Sequence, residues 1–280
     1  MAFYKFKKIF FYTCVHLFLI LYCIISAYPL LRIVSVSLRP GNRLFSTDLS
    51  LIPANASLIS YVNVLTQTHF LLWVWNSLVI TITTSLVGVI IASAAGYAFS
   101  RFHFPGKKAG LIAILGTQMI PAGMLLLPVF IILIRLNWVN SYIGLVVAYS
   151  ISSLPFSIWI LKGYYDTIPK SLEEAALVDG TSMLGAFFRI ILPLSTPALA
   201  IAFLFNFTMA WNEFLVARVV LQRSEMYTWT LGLFELQGQY ITQWGMFCAA
   251  SIMITIPVLI LFMYSSKWLI SGLTLGGVKG

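Results

Sequence analysis

The sequence predicts an all-α, polytopic membrane protein with six transmembrane helices. Three observations carry that reading. Hydrophobic residues make up 60% of the 280 positions and charged residues only 9%, whereas roughly a quarter of residues are charged in a typical soluble domain. Several apolar runs reach the ~20 residues that a helix needs to cross a bilayer. Between two of these runs lies a polar island that holds Glu173, Glu174 and Asp179, acids that hydrocarbon does not accept without partners.

Residues 1–8 are short and basic, with Lys5, Lys7 and Lys8, and read as a cytoplasmic N-terminus. The apolar run 9–31 is longer than a signal-peptide core and lacks a small-residue cleavage site, so it reads as a retained first span. Residues 32–74 are mixed, with Arg32, Arg39, Arg43, Asp48 and Pro53, and form an expected external segment. A five-helix core follows over 75–270. Its first span, 75–99, carries Gly88, Ala92 and Gly96 at four-residue intervals. Such small-residue ridges let helices pack closely in lipid. The turn 101–108 is basic. The third span, 109–134, contains Pro121 and Pro128, and the fourth, 142–161, contains Pro155. The island occupies 164–193. The fifth and sixth spans are 194–216 and 247–268, the last with Pro257, and a Gly-rich tail, 271–280, is expected to be cytoplasmic. Prolines inside spans free backbone groups that neighbours or water must then satisfy.

Six spans put both termini on one side. With the N-terminus in the cytoplasm, eleven of the seventeen Lys and Arg residues fall inside and six outside. Short loops weigh most in this rule. The turn 101–108 has Arg101, Lys107 and Lys108, against Arg135 alone in 135–141. The island is thereby placed in the cytoplasm. The net charge of +9 follows from these flanks. No basic stripe interleaved with aromatics points to nucleic acid, and membrane lipid is the expected surround. Cys14, Cys23 and Cys248 lie in apolar runs without metal or disulfide spacing. The histidines are scattered, and no phosphate-binding loop ending in Gly-Lys-Ser/Thr occurs, so the chain is not expected to hydrolyse ATP, bind a metal or act as an enzyme.

The island reads as helix–turn–helix. Pro169 ends what precedes it. Ser171 and Glu174 have the spacing of a capping box. Glu173 and Glu174 lie in a first turn, where the helix dipole favours acids. Gly180 suits a left-handed helix end, and Thr181 or Ser182 starts the next helix. Leu172, Ala175 and Ala176 share one face by i, i+3, i+4 spacing, small enough for another backbone to approach.

The fifth span holds the candidate translocation-path residues Asn206, Asn212 and Glu213. Asn206 and Glu213, seven apart, share a face, with Thr208 and Asn212 on the opposite one. One face could line a path while the other hydrogen-bonds a neighbouring helix. Glu213 is either an intramembrane acid with a transport role or an outer-interface group paired with Arg218. Trp211 is a possible interfacial anchor.

The spacing within the island carries a resemblance. Glu174-Ala175-Ala176 is followed after three residues by Gly180, after nine more by Ile190, and then by Leu192-Pro193. This resembles the EAA loop of ABC importer permeases. The stretch 98–107 (Ala-Phe-Ser-Arg-Phe-His-Phe-Pro-Gly-Lys), Trp75-Asn76-Ser77, Leu161-Lys162-Gly163-Tyr164 and the tail 268–280 further resemble the MalG-type permeases of maltose-type carbohydrate importers. The resemblance implies a type I ABC importer permease fold in a bacterial inner membrane. It implies a second, MalF-like permease subunit, two copies of a cytoplasmic ATPase that bind ATP and Mg, an extracytoplasmic sugar-binding protein and a sugar substrate such as maltose or a related oligosaccharide. No cofactor belongs to this chain itself. The ATPase-coupling positions carried over are Glu173, Glu174, Ala175, Ala176, Asp179, Gly180, Leu192 and Pro193. The tail's Gly276, Gly277 and Lys279 correspond to a segment that contacts the ATPase. In maltose importers the sugar is held mainly by the partner permease, and Trp211-Asn212-Glu213-Phe214 is similar to carbohydrate permeases at large. The rival reading, a secondary transporter or channel acting alone, leaves the island unexplained and lacks a clear internal repeat.

Overall fold

The computed structural model describes residues 2–40, 50, 52–53, 55–238 and 242–277. Among these there is no strand. The helices are α1 (Ala2–Ser37), α2 (Ile59–Gln67), α3 (Phe70–Arg101), α4 (Lys107–Thr117), α5 (Ala122–Arg135), α6 (Tyr142–Thr167), α7 (Ser171–Val178), α8 (Met183–Ala186), α9 (Leu192–Leu194), α10 (Thr196–Trp211), α11 (Leu215–Val220), α12 (Trp229–Glu235) and α13 (Trp244–Gly277). A π-helical turn, Phe187–Ile191, joins α8 to α9.

Each expected apolar run is helical, but the runs differ in form. Within the described residues, α1, α3, α6 and α13 contain stretches long and apolar enough to cross a membrane. A fifth crossing arises if Met183–Leu194 and Thr196–Trp211 count as one span, bent by 77°. The third expected span is two helices rather than one. α4 ends at Thr117, and α5 starts after Pro121, whose φ of −55° and ψ of 131° are extended rather than helical. A proline disfavours helical geometry in the residue before it, which explains the break at 118–121. The long spans also outrun their expected bounds: α3 and α13 gain residues at both ends, and α6 continues to Thr167.

The chain divides into two compact units. The first comprises Met1–Phe70 and Leu233–Ile254. There α1 presents almost all of its apolar side chains outward. The Ser37 and Tyr61 hydroxyls, 2.8 Å apart, tie its end to α2. The second unit comprises Leu71–Gly232 and Thr255–Gly280. In it α10 packs along α6, and α3 packs on both. The small ridge makes these contacts: a methyl group at Gly88 would lie 2.6 Å from Asn206 Nδ2, and one at Gly96 would lie 3.0 Å from the Lys162 amide nitrogen. Ala92 between them is fully buried. The core of this unit is Ala92, Tyr97, Ile158, Leu161, Tyr165, Ile168, Phe187, Ile191, Ala198 and Ala202. It lies where α3, α6, the π turn and α10 converge, directly behind the island.

At the opposite end of α3, Asn76 and Ser77 hold the stretch 225–229. Asn76 Nδ2 donates to the carbonyls of Glu225 (2.8 Å) and Tyr227 (3.1 Å), and its Oδ1 accepts from the Tyr142 hydroxyl at 2.9 Å. Ser77 Oγ accepts the Trp229 amide at 2.8 Å. Asn140, at a positive φ of 55°, accepts the amides of Gln222 and Arg223 through its side chain. This end is therefore fixed by side-chain to backbone bonds, while the island end is fixed by charge.

Candidate functional site

The island folds as two short helices around a glycine turn. α7 runs Ser171–Val178, and Gly180 has φ +82°, the left-handed geometry that glycine adopts without a side-chain clash. The Gly180 amide donates to Leu177 O (3.1 Å) and the Thr181 amide to Ala176 O (2.9 Å). This is the Schellman pair of bonds that closes a helix. Ser182 then caps α8, its Oγ accepting the Gly185 amide at 3.1 Å.

The start of α7 departs from expectation. Ser171 lies inside the first turn, Lys170 occupies the cap position, and no side chain caps the helix there, so no capping box joins Ser171 to Glu174. Charge does the work instead. Glu173 turns inward and is buried, while Glu174 stays exposed. Glu173 Oε2 accepts the Tyr97 hydroxyl at 2.6 Å, and Oε1 takes the Arg101 Nε–H in a buried ion pair. Arg101 also donates through Nη2 to Ile168 O (2.9 Å) and through Nη1 to Ser100 Oγ (3.2 Å). Ser100 in turn donates to Asp166 (2.7 Å), which is paired with Lys162 at 2.6 Å. Tyr97 packs at a tilt against Phe187 with ring centroids 4.6 Å apart. α7 is thus clamped from behind to the ends of α3 and α6.

Its other side is open and largely apolar. Leu172, Ala175 and Val178 are exposed there, Val178 to 87%, with Glu174 at its edge, while Leu177 lies beside Glu173 and Ala176 is half-buried. Leu184 and Phe188 extend this surface past the turn. Asp179 and Gly180 sit exposed at the apex. The segment then climbs through the π turn to Leu192, half-buried, and Pro193, exposed. Proline has no amide hydrogen to donate, and the Ser195 and Thr196 hydroxyls bond back to Ile191 O and Pro193 O, both at 2.7 Å. These features account for the 77° bend into α10. The Tyr164 hydroxyl ties the bend to α6 by donating to Leu194 O at 3.2 Å.

The polar residues of the fifth span do not form one face. Asn206 is fully buried. Its Oδ1 accepts the Ser157 hydroxyl at 2.7 Å, and its amide packs on Gly88, so it joins three helices. α10 ends at Trp211, which puts Glu213 past the helix and breaks the seven-residue relation to Asn206. The Glu213 carboxylate caps α11 through the Val216 (2.9 Å) and Ala217 (3.1 Å) amides. It also lines a cavity of about 100 Å³ with Tyr149, Ser152, Met209 and Ala210. Asn212 is exposed and donates to Thr208 O at 2.8 Å. Trp211 is buried, stacked on Phe207 (centroids 5.4 Å apart) and tilted against Trp229 (5.9 Å), and is no interfacial anchor. Of the tail positions, Gly276 and Gly277 continue the α13 backbone, and Lys279 lies outside the described residues. Among the described residues no group of three His, Cys, Asp or Glu could hold a metal.

The site is thus a polar loop, clamped from behind and open outward, set between long apolar helices of a membrane protein. Residues 10–272 match the binding-protein-dependent transport system inner membrane component, and the chain belongs to that family. It is 36% identical, over 95% of each chain, to the maltose/maltodextrin transport system permease protein MalG of Photorhabdus laumondii and of Escherichia coli strain K12. It is 35% identical to the galactooligosaccharides transport system permease protein GanQ of Bacillus subtilis, over 95% of this chain and 94% of that one. The fold is that of a chain in the crystal structure of a bacterial ABC transporter involved in the import of the acidic polysaccharide alginate, with TM-score 0.80, 24% identity, and coverage of 92% of this chain and 95% of that one. The chain is therefore a multi-pass inner-membrane permease component of a MalG-like transport system.

Proposed function

We propose that this chain is one half of the permease of an ATP-driven sugar importer, coupled through residues 164–193 to a separate ATPase. The observation that carries this reading is α7 itself: a largely apolar outer side on a polar loop, with its inner acid bonded to Tyr97 and Arg101 at the end of α3. An amphipathic helix of this kind docks in a groove on a partner. Glu174, Ala175, Ala176, Asp179 and Gly180 form the ATPase-facing surface, Glu173 holds it in place, and Leu192 and Pro193 form the joint to α10. Gly276, Gly277 and Lys279 add a second contact from the C-terminal tail. The loop and both termini are read as cytoplasmic, which the excess of Lys and Arg on that side supports. ATP and Mg belong to two ATPase copies, and this chain performs no catalysis. A MalF-like subunit completes the permease, and a binding protein delivers the sugar from outside. Two sets of relatives point to a malto- or galacto-oligosaccharide. Asn212 and Glu213, at the mouth of α10, are the polar groups placed to meet it, and Asn206 serves packing.

In the mechanism, ATP binding closes the ATPase dimer, and the two loops it grips rotate the permease halves as rigid bodies. The loaded binding protein favours the outward-open state and shifts the population toward it. The test is purification of the complex from mild detergent, followed by ATPase assays with binding protein loaded with maltotriose or a galacto-oligosaccharide. Recovery of a second permease and two ATPase copies, stimulated by one sugar, is the expected result. A chain recovered alone and active in vesicles without ATP overturns the reading.

A further inference from the structure

We propose that Arg101, Tyr97 and Glu173 form a rigid strut that makes α3 the lever through which the island's movement reaches the membrane. The proposal rests on the reading of α7 as the ATPase contact. Sequence continuity links the island to α6 before it and α10 after it, and nothing in the chain order links it to α3. The side chains do. A single guanidinium reaches three elements: Glu173 in α7, the Ile168 carbonyl just past α6, and Ser100 in α3 itself. Both side chains of the pair are nearly sealed, at 5% and 6% exposure, so water cannot readily replace the contact. Tyr97 adds a second attachment four residues earlier on α3, one turn along the same face. Its ring also rests on Phe187, which ties the second half of the loop to the same helix.

The geometry separates holding from docking. Glu173 points inward, while Ala175 and Val178, on the opposite side of α7, are exposed. A force on the outer face is delivered through the inner acid to the end of α3. From there, Gly96 against α6 and Gly88 against Asn206 carry it along the small ridge into the helix pack. A ridge without bulky side chains lets α3 follow without prising its neighbours apart. Arg101, Tyr97 and Glu173 are positioning residues: they touch neither sugar nor nucleotide.

The test uses the whole complex in vesicles and reads three quantities: ATPase retained, ATP hydrolysed and sugar imported. Radiolabelled maltotriose is the probe, replaced by galacto-oligosaccharide if the wild type prefers it. In Glu173→Gln and Arg101→Met the ATPase stays bound and hydrolyses ATP, but sugar imported per ATP falls about tenfold, as expected when a bond to a buried charge is lost. Tyr97→Phe and Arg101→Lys, which disturb folding least, lower the ratio about two- to threefold. If the stronger variants do not accumulate, these two decide the matter. The swap Arg101→Glu with Glu173→Arg recovers at least part of the ratio lost in either single variant, which a loss of general stability would not allow. Val178→Asp, on the outer side, releases the ATPase. If Val178→Asp keeps a bound, coupled ATPase, the docking reading fails on its own account. If the strut variants keep the wild-type ratio, or shed the ATPase as Val178→Asp does, the strut is overturned.

Discussion

Glu173 and Glu174 are neighbours in sequence with opposite fates, and that difference organises the loop. One acid is spent inward on Tyr97 and Arg101, and the other remains at the surface. Sequence spacing marks the pair as belonging to a first helical turn, but it cannot tell which acid faces a span, because the partners lie some seventy residues earlier. Gly180 was more legible. A glycine after eight helix-forming residues predicts a left-handed close, and φ +82° is found. Gly180→Val forces a β-branched residue into that region at a cost of about 1–2 kcal/mol. About 1.4 kcal/mol is a factor of ten in an equilibrium, so uptake in vesicles should fall about tenfold while the chain remains inserted. Asn76 was legible only as part of a resemblance, yet its side chain makes two bonds that pin 225–229 and a third with the Tyr142 hydroxyl. Asn76→Ala should lower stability by about 1–3 kcal/mol, read as a lower unfolding temperature of the detergent-solubilised complex.

At the scale of elements, composition and run length located every long helix, because hydrophobic length is a local property. They failed where helices break. The interruption at 118–121 and the bend at Ser195 depend on prolines, and a proline in an apolar run can equally be absorbed as a kink, as Pro155 and Pro257 are here within α6 and α13. The fifth span differs for a related reason. Asn206 and Glu213 share a face only on an unbroken helix, whereas α10 stops at Trp211. The bend at Ser195 is a designed-looking joint, since a π turn, a proline and two back-bonding hydroxyls coincide there. Pro193→Ala restores an amide donor and draws the segment toward regular helix. Sugar uptake should fall several-fold with ATPase binding retained, checked by uptake and co-purification side by side.

For the molecule as a whole, the order of crossings can be read from outside. α10 has 16 residues, about 24 Å of helix against a hydrocarbon core of about 30 Å, so it needs the bent segment before it to complete a crossing. If it does cross, its two flanks lie on opposite sides. In a background free of Cys14, Cys23 and Cys248, Gln222→Cys should react with an impermeant maleimide in intact cells, and Asp179→Cys only after permeabilisation. Labelling of both from outside would contradict the assigned orientation. The broken third span has a consequence for the life of the protein in the cell. Residues 116–121, non-helical over 118–121, are exposed on the chain by itself. The Gln118, Met119 and Ile120 amides bond back to the preceding turn, but irregular backbone at membrane depth is tolerated only where protein or water covers it. A subunit synthesised in excess of its partners is therefore a poor resident of the bilayer. It should be short-lived until assembly covers that gap, and pulse–chase in cells lacking the second permease should show this chain being degraded. Subunit stoichiometry would then be enforced by membrane quality control, with the gap in the third span acting as the mark of an orphan.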